Sequence, residues 1–138
     1  TIAAAAAPIP GHRAAVATGA GAARPTEIRL KTEDRVLEVD FDDGRSFRLP
    51  AELLRVESPS AEVQGHGPGQ RTIVAGRRHV GVMKVEPVGN YAVRLHFDDL
   101  HDTGLYSWDY LYELGLNQEQ RWRDYLAALE ERDLSRDP

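Results

Sequence analysis

The sequence contains no cysteine, a single methionine, and no apolar run approaching the ~18 to 20 residues that cross a bilayer as a helix. Without cysteine there is no disulfide framework, thiolate nucleophile, Cys-ligated zinc or Cys-ligated iron–sulfur cluster. Chemistry is left to histidine, carboxylates, hydroxyls and backbone. An excess of cationic side chains is missing too: 17 Lys and Arg stand against 22 Asp and Glu, a net charge of −5 over 138 residues. That balance argues against a dedicated nucleic-acid or anionic-membrane binder, and the length fits one domain of roughly 100 to 150 residues. A single cytoplasmic domain is the expectation, without room for a two-domain enzyme.

Residues 1–25 are nearly all Ala, Gly and Pro and include no acidic residue. Such a stretch buries too little apolar area to offset its ordering entropy, so it reads as a flexible tail rather than a targeting peptide. From Thr26 onward the composition becomes that of one domain, 26–138. Glu27–Lys31, Val36–Phe41 and Ser46–Leu49 alternate with period two, and Asp43-Gly44 marks a hairpin turn. Pro50 opens a short helix through Val56. Ser60–Arg71 reads as a loop because Gly65, Gly67, Pro68 and Gly69 interrupt regular structure, and Thr72–Val74 reads as a short strand.

A second hairpin follows, 81–88 and 91–97. Strict alternation puts Val82, Lys84 and Glu86 on one face with Met83 and Val85 on the other, and Pro87 places the strand at a sheet edge. Ser107 caps a helix from Trp108 that Gly115 is expected to end, and Asn117 with Gln120 has the form of a capping box. Trp122, Tyr125, Leu126 and Leu129 then form a helical apolar stripe expected to face a sheet. The fold class is α+β: a small twisted, mainly antiparallel sheet covered by helices, with a C-terminal amphipathic helix.

Four groups of residues carry candidate chemistry. His96, Asp98, His101 and Asp102 combine imidazole and carboxylate at close spacing, an alternative metal site against the simpler reading of a polar strand end. His66 lies in a glycine loop whose N–H groups suit an anion, although the G-K-[ST] of a P-loop is absent. Arg71, Arg77, Arg78 and Lys84 give a locally positive segment suited to a phosphate or an acidic protein, with too few charges and no interleaved aromatics for nucleic acid. Tyr106 and Trp108 belong to an aromatic cluster that is either core or binding face. No serine sits in a G-x-S-x-G elbow or has a recognisable base partner, which disfavours a serine hydrolase.

Four segments together, Glu27–Leu30, Leu53–Gly69, Val85–Val93 and His101–Leu111, resemble the gamma-butyrobetaine hydroxylase-like N-terminal domain family, over about Pro25 to Gly115. The resemblance implies a small α+β domain found alone in bacteria, ahead of carnitine-biosynthesis oxygenases, or attached to Mrp-type P-loop iron–sulfur carriers. In the oxygenases the domain holds zinc through three cysteines, in a C-P-C-x-x-C arrangement, and one histidine. Here the matching positions are Ser58-Pro59-Ser60-Ala61-Glu62-Val63, and the histidine matches His101. The resemblance therefore implies a scaffold whose zinc site is lost, with no cofactor expected and turn hydrogen bonds from Ser58 and Ser60 in place of coordination. It also implies a non-catalytic accessory domain that binds a protein partner, with an Mrp-type iron–sulfur carrier as the candidate.

Overall fold

A computed structural model describes residues 23–64 and 71–138. Two antiparallel three-stranded sheets form the framework: β1 (Pro25–Lys31), β2 (Val36–Phe41) and β3 (Ser46–Pro50) in one, and β4 (Val82–Val88), β5 (Ala92–Phe97) and β6 (Leu105–Ser107) in the other. Helices α1 (Ala51–Val56) and α2 (Ala61–Gln64) separate the sheets in sequence, and α3 (Trp108–Leu116) and α4 (Gln118–Glu131) follow them. The α+β class and the C-terminal helix are as expected, with the strands divided between two sheets. Most of the expected 1–25 tail lies outside the described residues. At its end, Ala23 is buried and Arg24 N–H donates to the Asp42 carboxylate, so the folded part starts slightly before Thr26.

Alternation in the first sheet turns Ile28, Leu30, Leu37, Val39, Phe41 and Leu49 inward, where they meet Val82, Val85, Leu95 and Phe97 from the second sheet and Leu111 and Leu114 from α3. Each such side chain contributes roughly 1.5 to 3 kcal/mol by leaving water. Every residue of α1 is buried, Glu52 and Arg55 included, because this helix is enclosed on all sides. The Ser107 hydroxyl accepts the Tyr110 N–H at 3.2 Å, the N-cap expected for α3 and worth about 1 kcal/mol.

Several local expectations are corrected. Between Val82 and Lys84 the β4–β5 register shifts, so Val82 and Val85 are both buried while Met83 and Lys84 point outward. A bulge adds one residue and reverses the alternation; the edge position of β4, with Pro87, is as expected. Thr72–Val74 forms no strand. Instead Ile73, Val74 and Ala75 pack against Val56, Trp122, Tyr125 and Leu129, and Val74 C=O accepts the Tyr125 hydroxyl at 2.6 Å. The stripe of α4 thus covers this segment and the end of α1 rather than a sheet, and Leu126 stays partly exposed. Part of the expected 60–71 loop is helical, because Ser60 C=O accepts both the Val63 and Gln64 N–H groups.

Gly115 does not end α3, which continues to Leu116. It is a contact point, since a Cβ there would lie 2.3 to 2.6 Å from the Phe47 ring. The capping box at the start of α4 does not form either: the Asn117 amide donates to Glu113 C=O at 3.1 Å, and Gln120 bonds Asp124. With only Asn117 between α3 and α4, its side chain reaches back to finish the first helix.

Candidate functional site

The turn after α1 and the β5–β6 connection meet around one buried imidazole. Phe97 N–H donates to His101 C=O at 3.0 Å and His101 N–H donates to the Asp99 carboxylate at 3.1 Å, which together turn the His101 ring inward. Its Nε2 lies 2.9 Å from Ser58 Oγ and 3.4 Å from Ser60 Oγ, and its Nδ1 lies 3.2 Å from Glu62 Oε2. Ser60 N–H donates to Ser58 Oγ at 3.3 Å, the turn bond expected for these serines. Gly104 lies against the same hydroxyl, where a Cβ would sit 2.6 Å from Ser58 Oγ, so no larger residue fits beside the cluster.

Burial, reinforced by the nearby Arg55 guanidinium, pushes the His101 imidazole below its usual 6.5, although Glu62 and Asp99 pull the other way. Neutral His101 with a proton on Nδ1 donates to Glu62, while Nε2 accepts the Ser58 hydroxyl. Asp99 is the hinge of the surrounding charges: burial raises its carboxyl, but Arg55 Nε at 2.8 Å and Arg77 Nε at 2.7 Å outweigh that and hold it below the ordinary range.

These directions give a pH prediction. The unfolded His101 takes up a proton near pH 6.5 and the folded one only at lower pH, so the unfolded state binds more protons in between. Stability is complete above that point and declines as pH falls from about 6.5 toward the folded value. Glu38, Asp40 and Glu113, all lowered by arginine partners, lose their contribution only below about pH 4.5. Urea midpoints between pH 7 and 5 should therefore fall, and the slope should flatten in His101→Gln; an equal slope in that variant would contradict the assignment.

The hydrogen-bond connectivity Ser58–His101–Glu62 matches that of a serine nucleophile with its base and orienting acid. Ser58 does have a base partner, contrary to the sequence expectation. Its hydroxyl is nevertheless fully buried and occupied by the Ser60 N–H, leaving no approach for a substrate carbonyl. The arrangement is a closed polar pin that fastens α2 and the turn before it to the β5–β6 connection.

The alternative metal cluster is not assembled. His96 faces outward from β5 and bonds Glu86 at 2.9 Å, with Asp102 at 3.9 Å, while Asp98 accepts the Gly81 N–H and His101 points inward. Leu100, at φ +73°, makes the tight turn that separates the two imidazoles. Among the described residues no group of three or more His, Asp or Glu side chains is arranged to hold a metal ion.

The zinc that this domain holds in the family's oxygenases does not fit the Ser58, Ser60 and His101 donors either. Neutral hydroxyls supply neither the charge nor the softness of thiolates, and the Nε2 lone pair is already used by Ser58.

Of the expected positive segment, the three arginines are each paired with a carboxylate, while Lys84 is exposed on β4. Arg71 pairs with Glu57, Arg77 with Asp99, and Arg78 with Asp137 at 2.5 Å. His66 lies outside the described residues. Tyr106 and Trp108 are core rather than binding face: the Tyr106 hydroxyl donates to Leu54 C=O, and Trp108 Nε1–H donates to Asn90 C=O at 2.7 Å. Burial raises the Tyr106 phenol far above its ordinary value.

Beside this region a groove of about 500 Å³ runs between α1's end and α3–α4. At its base the buried Glu57 carboxylate receives both Arg71 and Arg121, and Arg121 also pairs with Glu113. Tyr110, pushed up to about 12 by burial, donates its hydroxyl to Glu57 C=O. These groups satisfy one another and tie α3 and α4 to the core. Sequence reasoning missed Arg55, Glu57, Glu62 and Asp99 because their side-chain partners are 14 to 64 positions away.

Comparison with known proteins agrees with this scaffold. The model for gamma-butyrobetaine hydroxylase-like N-terminal domains matches residues 28–112. The chain belongs to that family. Two structures solved by NMR in solution are similar at 50% and 48% identity, with TM-scores of 0.74 and 0.75; the matches cover 83% and 89% of this chain and 90% and 92% of theirs. A crystal structure from Acidithiobacillus ferrooxidans, described as a protein with unknown function of the DUF971 family, is similar at 48% identity and TM-score 0.57, covering 67% of this chain and 92% of the other. No curated protein matches. Among the described residues no helix is long and apolar enough to cross a membrane.

Proposed function

We propose that this chain is a non-catalytic, cytoplasmic accessory domain that binds a protein partner, in which serine hydroxyls close the position that zinc holds in the family's oxygenases. The supporting observation is the convergence of Ser58 and Ser60 on His101 Nε2 at 2.9 and 3.4 Å. A polar cluster whose Ser58, Ser60 and His101 side chains are buried and satisfy one another fixes local geometry, with the Glu62 carboxylate reaching solvent. The partner suggested by the family resemblance is an Mrp-type P-loop iron–sulfur carrier. Mixing the full chain with such a carrier, cluster-loaded and cluster-free, and measuring co-migration tests the reading. A one-to-one complex is expected; turnover of a small molecule with no complex formed by either carrier would overturn it.

A further inference from the structure

A second groove, of about 450 Å³, lies between α1 and α4 and includes Pro50, Leu53, Glu119 and Trp122 in its walls. One of the chain's own arginines is seated at it. Arg136 places Nε and Nη2 at 2.8 and 2.7 Å from the two oxygens of Glu52, a bidentate fork on a carboxylate whose side chain is only 7% exposed. Its guanidinium carbon also sits 5.1 Å from the centre of the Trp122 ring. A buried carboxylate with an indole beside it is the chemistry that reads a planar guanidinium, and an ammonium cannot reproduce the fork.

The backbone carrying Arg136 is held in a bend: its consecutive carbonyls at 135 and 136 both accept from residues 76–78, and Asp137 N–H donates to Ser135 Oγ at 3.0 Å. Gly76 N–H donates to Ser135 C=O at 2.9 Å, and Arg78 N–H donates to Arg136 C=O at 3.0 Å. Arg78 then pairs with Asp137, the residue after the seated arginine. Residues 76–78 thus offer two backbone donors and one cation. The groove offers an acid and an indole, and apart from Arg136 its charged lining is Glu52 and Glu119 against Arg123.

We propose that this groove is a recognition site for a bent segment of a partner protein carrying arginine followed by an acidic residue, and that residues 135–137 hold its Glu52 in cis as a competitor. The proposal rests on the protein-binding reading above and adds the chemistry of the segment recognised. Backbone donors supply sequence-independent affinity, while Glu52, Trp122 and Arg78 supply selectivity.

The test uses the full chain carrying Arg136→Ala and Asp137→Ala, which weakens the cis occupant. The probe is a capped Ser-Arg-Asp-Pro peptide, followed by NMR at the Trp122 indole and the Gly76 and Arg78 amides. Saturable shifts at these positions are expected, weakened about tenfold or more when the peptide's arginine is replaced by lysine and lost when Glu52→Gln is added. Should the double variant lose its fold, excess peptide is added to the unaltered chain, where the same three signals should move. Equal binding of the arginine and lysine peptides would overturn the proposal, as would no shift in either chain. So would an unaltered chain that runs as a dimer broken by the two substitutions, because a second copy's strap would then be the occupant. Binding of the peptide without any carrier complex would sink the Mrp-type assignment alone.

Discussion

Replacing Ser58, Ser60 and Val63 with cysteine together is expected to convert the chain into a zinc protein holding one equivalent. Thiolate and imidazole ligands of one tetrahedral zinc lie about 3.6 Å apart, from bonds of about 2.3 and 2.05 Å. Ser58 and Ser60 already stand 2.9 and 3.4 Å from His101 Nε2, and the longer C–S bond has only to open that spacing slightly. Val63 is buried on α2, one turn beyond Ser60, with its N–H bonded to Ser60 C=O. Binding free energies for structural zinc are on the order of 10 kcal/mol or more, so thermal stability of the triple variant should depend steeply on zinc and collapse with chelator. Adding His101→Ala should remove the tight binding. A folded triple variant whose melting temperature ignores both zinc and chelator would show that the three positions do not converge.

Gly115→Ala is expected to destabilise the protein by about 2 kcal/mol or more, against the direction of helix propensity. Gly115 is within α3, where alanine in place of glycine would ordinarily add about 1 kcal/mol. The added Cβ, however, meets three Phe47 ring carbons at 2.3 to 2.6 Å, where about 3.5 to 4.0 Å is needed. Phe47 cannot easily yield, since its ring is edge-on to Phe41 at 5.8 Å and to Tyr112 at 5.6 Å. The loss should be read as a fall in denaturant midpoint at unchanged slope. In a Phe47→Leu background the same substitution should cost less than about 1 kcal/mol, because a smaller side chain leaves room. An increase in stability on Gly115→Ala would mean that α3 and β3 are not in contact there.

The legible parts of the fold were those governed by short-range pattern. The two hairpins, the Ser107 cap and the edge placement of Pro87 follow from alternation, capping chemistry and a missing N–H. Gly115 illustrates the opposite case: its sequence context is that of a helix stop, and only the approach of Phe47, 68 positions away, explains it. The β4 bulge escaped because an added residue leaves no mark in a string of Val, Met, Lys and Val. Thr72–Val74 has strand composition but no strand beside it, so α4 claims its side chains.

At the candidate site the same division holds. The family resemblance identified Ser58, Ser60 and His101 as one locus, while Glu62 on Nδ1 and Asp99 between two arginines arise from tertiary placement. His96 and His101 are five positions apart and looked like one cluster. The turn at Leu100 sends them to different sides of the chain, one wet and one buried.

The most direct test of the account is elemental analysis of the unaltered full chain, purified without chelator from cells grown with zinc, iron and manganese. If serine hydroxyls have replaced coordination around His101, metal content should stay below about a tenth of an equivalent and should not change in His101→Ala. One tightly held equivalent in the unaltered chain, absent from His101→Ala, would contradict it.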